Sequence, residues 1–223
     1  MELCSQNLQN IIAVKGQVFD RQPETPMDCI EYYISSQLMV ELTECVEYLH
    51  TSRPPVIHRD LKPSNILIID RPVIGNKFLK LGDFGLATDH NRNADQISDS
   101  HSVGKGTSEY MAPEVYRRIY NVKCDIYSLA IIYQDMFDID IDDYNNYRNS
   151  SLYDYVENLS SLIISMMCPV YSQRPSCTDI LNKSSDWLID RNFIEQNTSN
   201  LKQTIKRIGR KQFFGNYLFY KTM

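Results

Sequence analysis

Glycine is scarce in this chain. Its 223 residues include eight glycines (positions 16, 75, 82, 85, 104, 106, 209 and 215), and none falls in a G-x-G-x-x-G or Walker pattern. A glycine-built phosphate cradle is therefore absent from the sequence. The six cysteines, at 4, 29, 45, 124, 168 and 177, form no C-x-x-C pair and do not cluster with histidine. That excludes a zinc site or a disulfide framework and suits a reducing compartment. Long hydrophobic runs are missing too. The most apolar stretches, Ser161–Val170 and Ile126–Tyr133, fall far short of the roughly 20 residues that a membrane-crossing helix needs. The start, Met1-Glu2-Leu3-Cys4, has neither a basic patch nor an apolar run, so no signal peptide is read and a cytoplasmic location is expected. Excess positive charge is lacking as well: the net charge is −5, unlike a protein devoted to nucleic acid. The 43% hydrophobic and 11% aromatic residues that are present suffice for a core and exclude wholesale disorder.

The pattern along the chain predicts a mainly α protein with a short β-hairpin region near its middle. Over residues 27–51, Ile30, Ile34, Leu38, Leu42, Cys45 and Leu49 recur at spacings of three and four and paint one helical stripe. Asp28 is the expected N-cap, with Glu31 completing a capping box, and Pro54-Pro55 bars continuation. Ile66–Ile69 and Phe78–Leu81 read as short strands separated by turn formers. Residues 90–110 are polar and read as a long functional loop. Helices are expected over Asp125–Phe137, near Leu159–Cys168 and over Cys177–Leu188. Residues 196–223 hold Lys202, Lys206, Arg207, Arg210, Lys211 and Lys221 with no acid, leaving 17 basic against 28 acidic residues in the first 195. This basic tail is expected to be a solvated helix. The sharper alternative is a patch for an acidic partner, RNA or lipid headgroups.

The chemistry-bearing residues lie in three strings. The first is His58-Arg59-Asp60-Leu61-Lys62-Pro63-Ser64-Asn65, the second Gly82-Asp83-Phe84-Gly85, and the third runs from Gly106-Thr107 to Ala112-Pro113-Glu114. In this order and spacing they match the H-R-D, D-F-G and A-P-E signatures of protein kinases. Over residues 1–195 the chain resembles the C-terminal lobe of a eukaryotic protein kinase of the serine/threonine type. The resemblance implies a hinge over 1–6, a catalytic loop over 58–65 and an activation segment over 83–114. It implies ATP and Mg²⁺ as cofactors and a serine or threonine of a protein as substrate, with Asp60 as catalytic base and Lys62 neutralising the phosphoryl group. Asn65 and Asp83 would hold Mg²⁺. Thr107 would contact Asp60 and Lys62, and a phosphate on Ser100 or Ser102 could order the loop against Arg59. Glu2 and Cys4 would meet the adenine edge through their backbone, with Leu67 beneath the ring. The same resemblance pairs Glu114 with Arg174, anchors the catalytic loop on Asp125 and stacks His58 on Phe84.

Half of the signature set has no counterpart. Ile12-Ala13-Val14-Lys15 looks like the V-A-I-K strand, yet Lys15 stands only 45 positions before Asp60. That interval cannot hold the partner helix, further strands, the hinge and the helix of 27–51. On the register in which Met1–Cys4 is the hinge, the N-terminal β lobe is missing, and with it the glycine loop, the β3 Lys and the αC Glu. Two expectations follow: an incomplete chain of an active kinase, or a catalytically incomplete lobe serving as a protein-binding or scaffold module, its exposed face covered by a partner chain. Met1-Glu2-Leu3-Cys4 with Asn7-Leu8, the string from Gly82 to His90, and Gly106-Thr107 are also similar to the translation-initiation-factor-2 kinases. That likeness implies a serine of initiation factor 2 alpha as substrate.

Overall fold

A computed structural model describes residues 4, 6–22, 25–69, 77–89, 108–117, 121–198, 201–208, 213–214 and 217. Strand β1 (Gln6–Asn7) runs directly into helix α1 (Leu8–Val18). Asn7 and Asn10 close a reciprocal capping box there, each side chain accepting the other's backbone N–H at 3.1 Å. Lys15 lies on the buried stripe of α1 with Leu8, Ile11 and Val18. It is thus a helical residue, in keeping with its rejection as a strand lysine.

Helix α2 (Cys29–His50) is the long central element. Asp28 caps it as expected, its Oδ1 accepting from the backbone N–H groups of Ile30 and Glu31 at 2.8 Å each. The expected capping box does not close. Glu31 is 1% exposed and turns inward instead, 3.6 Å from Lys15 Nζ and 3.1 Å from Arg21 Nε. A buried carboxylate is stabilised far more by a cation than by one cap N–H, so the ion pairs win. Ile30, Ile34, Leu38 and Leu42 are buried as the stripe requires, while Cys45 and Leu49 are only partly so.

Helix α3 (Val122–Phe137), capped by Asn121, packs across α2. Leu129, Ala130, Ile132, Tyr133 and Phe137 lose all solvent contact, each large side chain contributing about 1.5–3 kcal/mol by burial. The Tyr133 hydroxyl pairs with that of Thr43 at 2.7 Å, so the contact leaves no buried polar group orphaned. Helix α4 (Tyr153–Met166) starts six residues before the expected Leu159, because Val156 already faces the core. Helices α5 (Cys177–Asn182), α6 (Ser184–Trp187), α7 (Arg191–Asn197) and α8 (Leu201–Ile208) follow.

The hairpin region holds β3 (Ile66–Ile68) and β4 (Leu79–Leu81), antiparallel with Ile66 opposite Leu81. With β1 they make a three-stranded sheet of order β1-β3-β4. A separate pair joins β2 (Val56–Ile57) to β5 (Thr88–Asp89). These two small sheets bracket the segments 58–65 and 82–87. Among the described residues, no helix is long and apolar enough to cross a membrane.

The expected solvated helix over 196–223 is corrected by burial. Lys206 and Arg207 of α8 are exposed, but Ile208, Phe213, Phe214 and Tyr217 are at most 4% exposed and join the main core. Charge counting describes the polar side chains of such a segment and is silent about the apolar ones between them.

Candidate active site

The loop from His58 to Asn65 is held from below by one buried carboxylate. Asp125, at the start of α3 and fully buried, accepts the backbone N–H of His58 through Oδ2 (2.8 Å) and that of Arg59 through Oδ1 (2.9 Å). Arg59 sits at φ 70°, a left-handed backbone that costs energy in a non-glycine residue. Two charge-assisted hydrogen bonds on adjacent amides keep the turn there. The expected anchoring role of Asp125 is what the geometry displays.

Sequence reasoning missed a third donor to this carboxylate. His50, the last residue of α2, donates from Nε2 to Asp125 Oδ2 at 2.9 Å, and its Nδ1 lies 3.7 Å from Cys177 Sγ. An ionised carboxylate only accepts, so Nε2 carries the proton. Burial pushes the Cys177 thiol up to about 12, so it stays protonated and faces Nδ1 as a donor. The group is therefore a brace rather than a nucleophile. Nothing in the local string around His50 signals it, because its partners lie 75 and 127 positions away.

Above this brace the side chains converge. Asp60 Oδ2 accepts from Lys62 Nζ at 2.8 Å and from Asn65 Nδ2 at 2.9 Å, and Asn65 Nδ2 also reaches the Asp60 carbonyl at 2.9 Å. Asp60 and Asn65 are each 8% exposed. The short 3₁₀ turn Pro63–Asn65, closed by Asn65 N–H to Lys62 O at 3.0 Å, sets these three residues around one oxygen. From Asn65 the chain links directly to the second motif: Gly82 N–H donates to Asn65 O at 2.8 Å. A Cβ at position 82 would sit 3.0 Å from Leu67 Cδ1, so this close approach is one that glycine alone makes freely. Asp83 follows in left-handed backbone (φ 54°) and is exposed, with Oδ1 accepting from Gly85 N–H at 3.3 Å. His58, fully buried, donates from Nε2 to Gly82 O at 3.0 Å, and its ring meets Phe84 at 5.1 Å between centroids. The expected contact of His58 with Phe84 is present, but the rings are tilted at 51° to each other rather than stacked.

The structure thus brings Asp60, Lys62 and Asn65 into contact and ties Gly82, the residue before Asp83, to Asn65 through one backbone bond. Leu67 is a half-buried residue of β3, against Gly82, and Cys4 is half-buried. Glu2, Thr107, Ser98, Ser100 and Ser102 lie outside the described residues, as does the polar stretch 90–107. Beyond it, Glu114 meets Arg174 through both oxygens, at 2.6 and 2.9 Å. Burial acts to raise the Glu114 carboxyl, but the Arg174 bonds and charge outweigh it and hold the group below the usual carboxylate range. Tyr110 donates to Asp135 Oδ2 at 2.6 Å and its backbone O accepts from Ser128, tying the end of this segment to α3.

The donor set suits a hard cation. Asn65 commits its amide nitrogen to Asp60, which leaves its side-chain oxygen as the atom that could hold a cation, and Asp83 is an exposed carboxylate that follows Gly82, itself bonded to Asn65. Mg²⁺ takes only one or two protein oxygens of this kind and keeps its remaining positions for water and phosphate. Among the described residues, no group of three or more His, Cys, Asp or Glu could hold a metal ion.

The family profile of the protein kinase domain matches residues 1–187. The chain belongs to the protein kinase family. It is 28% identical over 174 residues to a putative mitogen-activated protein kinase kinase kinase 7-like protein of Drosophila melanogaster, covering 77% of this chain and 40% of that one. It is 30% identical over 167 residues to the serine/threonine-protein kinase VIK of Arabidopsis thaliana, covering 65% of this chain and 35% of the relative. Bovine mitogen-activated protein kinase kinase kinase 7 (Bos taurus) is 39% identical over 108 residues, 46% of this chain and 17% of the relative. This kinase chain therefore spans well under half the length of the relatives it matches, and its likeness to them is to serine/threonine kinases.

Proposed function

We infer that this chain carries the phosphoryl-transfer machinery of a serine/threonine protein kinase. The observation that supports this reading is the convergence of Lys62 and Asn65 on one oxygen of Asp60, over a backbone pinned by Asp125. Both donors occupy Oδ2 of Asp60, so Oδ1 is the atom for an incoming hydroxyl: it accepts the proton and aims the oxygen. Lys62, 25% exposed at its side chain, is free to swing from Asp60 towards charge that develops above the loop. Asn65 and Asp83 would hold Mg²⁺ with their oxygens, and bound Mg²⁺ and ATP would supply the transferable γ-phosphoryl group. Leu67 and the backbone at Glu2 and Cys4 would receive the adenine. A protein serine or threonine is the substrate class, and initiation factor 2 alpha as its particular identity rests on the short strings alone.

The test is transfer of labelled phosphate from ATP to a generic serine/threonine protein substrate by the purified chain, with Asp60→Asn alongside. Loss of about 10²–10⁴-fold in the variant is expected, the usual contribution of a positioned base. Equal rates in the two proteins would refute the assignment of Asp60.

A second reading has its own support. Phe84, beside the site, is 47% exposed, and Val14 on α1 is 43% exposed. On this reading these apolar groups would belong to a face covered by another chain, and the protein would act as a binding module. In that case Asp60→Asn leaves partner binding intact and no transfer is seen from the wild type.

A further inference from the structure

The C-terminal segment lies outside the residues that the kinase profile matches, 1–187, yet it reaches back to the strand that carries the second motif. Phe78 immediately precedes β4, and five residues later comes Asp83. Its ring sits 4.6 Å from that of Tyr217 and 6.0 Å from that of Phe213. Phe213 in turn contacts Tyr217 (5.5 Å) and Phe214 (5.4 Å), and Phe214 meets Phe19 at the end of α1 edge-on at 5.5 Å. All five rings are buried. They form a chain of rings in which Phe213 touches Phe78, Phe214 and Tyr217, so that Phe78 packs directly on Phe213 and Tyr217 while Phe214 ties the group to Phe19.

A polar contact runs through the same cluster. Glu41 of α2 is 3% exposed, and its Oε2 accepts the backbone N–H of Phe78 at 2.7 Å and of Leu79 at 3.3 Å. Its other oxygen, Oε1, accepts the Tyr217 hydroxyl at 3.3 Å. Burial, with Glu41 close by, pushes that hydroxyl well above its ordinary value, so it is a donor at every physiological pH. The Tyr217 hydroxyl thereby orients the carboxylate that holds the amide of Phe78, just before β4, and that of Leu79, its first residue. An outer anchor of the segment is Arg207 on Asp20, at 2.6 Å.

We propose that Phe213, Phe214 and Tyr217 are positioning residues of the kinase site: through Phe78 and Glu41 they fix the root of β4 and hence the placement of Asp83. The proposal rests on the reading of Asp83 as a Mg²⁺-holding group. It gives the C-terminal segment a specific task that neither the family pattern nor its basic charge assigns.

The experiment uses the full chain and two readouts. Hydrogen–deuterium exchange follows the amides of 78–82 against those of α4, and calorimetry follows binding of ATP with Mg²⁺. Tyr217→Phe keeps the ring and drops one hydroxyl. It should speed exchange at Phe78 and Leu79 about fivefold, the usual worth of one net hydrogen bond, and weaken Mg²⁺-dependent ATP binding by a similar factor, with α4 unchanged. Phe213→Leu should do the same by loosening the cluster, whereas Lys206→Ala, an exposed residue of the same segment, should change neither readout. Unchanged exchange at 78–79 in Tyr217→Phe, or equal acceleration in α4, would overturn the proposal. A wild-type chain that binds no nucleotide would count against the kinase reading alone, and the exchange pattern would still decide the clamp.

Discussion

Replacing Arg174 by alanine should unfold this chain at a markedly lower temperature, and the size of the effect follows from its contacts. The Arg174 side chain has no solvent exposure and Glu114 only 7%. Four of its hydrogen bonds are lost together: two to Glu114 at 2.6 and 2.9 Å, one to Cys168 O at 2.8 Å and one to Lys123 O at 3.0 Å. The guanidinium also lies 5.1 Å over the Tyr127 ring. The dominant cost is the carboxylate left behind, since removing one partner of a buried pair costs about 3–5 kcal/mol. For a domain of this size about 1 kcal/mol moves Tm by roughly 2–4 °C, so a fall of about 6–20 °C is expected by calorimetry or circular dichroism. Arg174→Lys retains charge but not the fork, and should fall between the two. The double variant Glu114→Leu with Arg174→Met removes both charges and should recover most of the loss. The reasoning fails if Arg174→Ala melts within about 2 °C of wild type, or if the double variant is worse than the single one. Glu114 carries a pH signature as well. Its folded value is depressed, so the pair's stabilisation is present above the ordinary carboxylate range and is lost as pH falls through the folded value.

Other outcomes can be checked with the same assays. Burial lowers Lys15 from 10.5 to about 8, against the opposing pull of Glu31; above pH 8 the unfolded chain holds this proton more tightly. Stability of wild type relative to Lys15→Met should therefore rise by about 1.4 kcal/mol per pH unit from pH 8 towards 10, and a flat or falling difference in urea melts would refute the burial of that amine. Asp125→Asn keeps the shape but weakens three hydrogen bonds, so about 1.5–3 kcal/mol of stability should go, together with a slower kcat in phosphoryl transfer; a kinetic parameter unchanged in a correctly folded variant would show that the loop does not depend on it. Gly82→Ala drives a Cβ to 3.0 Å from Leu67 and should cost about 1–3 kcal/mol, with Leu67→Ala in the same chain relieving part of it. Asp28→Ala should lower stability by about 1 kcal/mol through loss of the cap on α2, read by urea unfolding.

What could be read in the sequence was written in contiguous strings and regular periods. The stripe of α2, the cap at Asp28, the paired strands at Ile66–Ile68 and Leu79–Leu81, and the apolar run of α3 follow from local spacing and turn chemistry. Asp60, Lys62 and Asn65 were singled out through the resemblance to kinases, and six residues of chain with one proline-led turn place all three side chains together. Glu114 with Arg174 and Asp125 with the loop came through the resemblance to kinases, and the geometry agrees with both.

Only the tertiary structure decided the rest, because it depends on which distant side chains share a low-dielectric interior. Glu31 suited a capping box, but burial beside Lys15 and Arg21 made an ion pair the stronger claim on its carboxylate. His50 gives no local sign of its place between Cys177 and Asp125. Glu41 of α2 accepts the amides of Phe78 and Leu79, 37 and 38 positions away, a contact that no local pattern signals. The scarcity of glycine that marks the sequence takes on meaning at position 82, where Leu67 crowds the site of a side chain. The basic C-terminus is the clearest case. Its six cations suggested a solvated end, and charge along a chain does report where polar groups must go. It cannot report that Phe213, Phe214 and Tyr217, at no regular spacing, find Phe19 and Phe78 more than 130 residues earlier. Hydrophobic burial is non-directional and has no sequence period of its own, so that closure exists only in three dimensions.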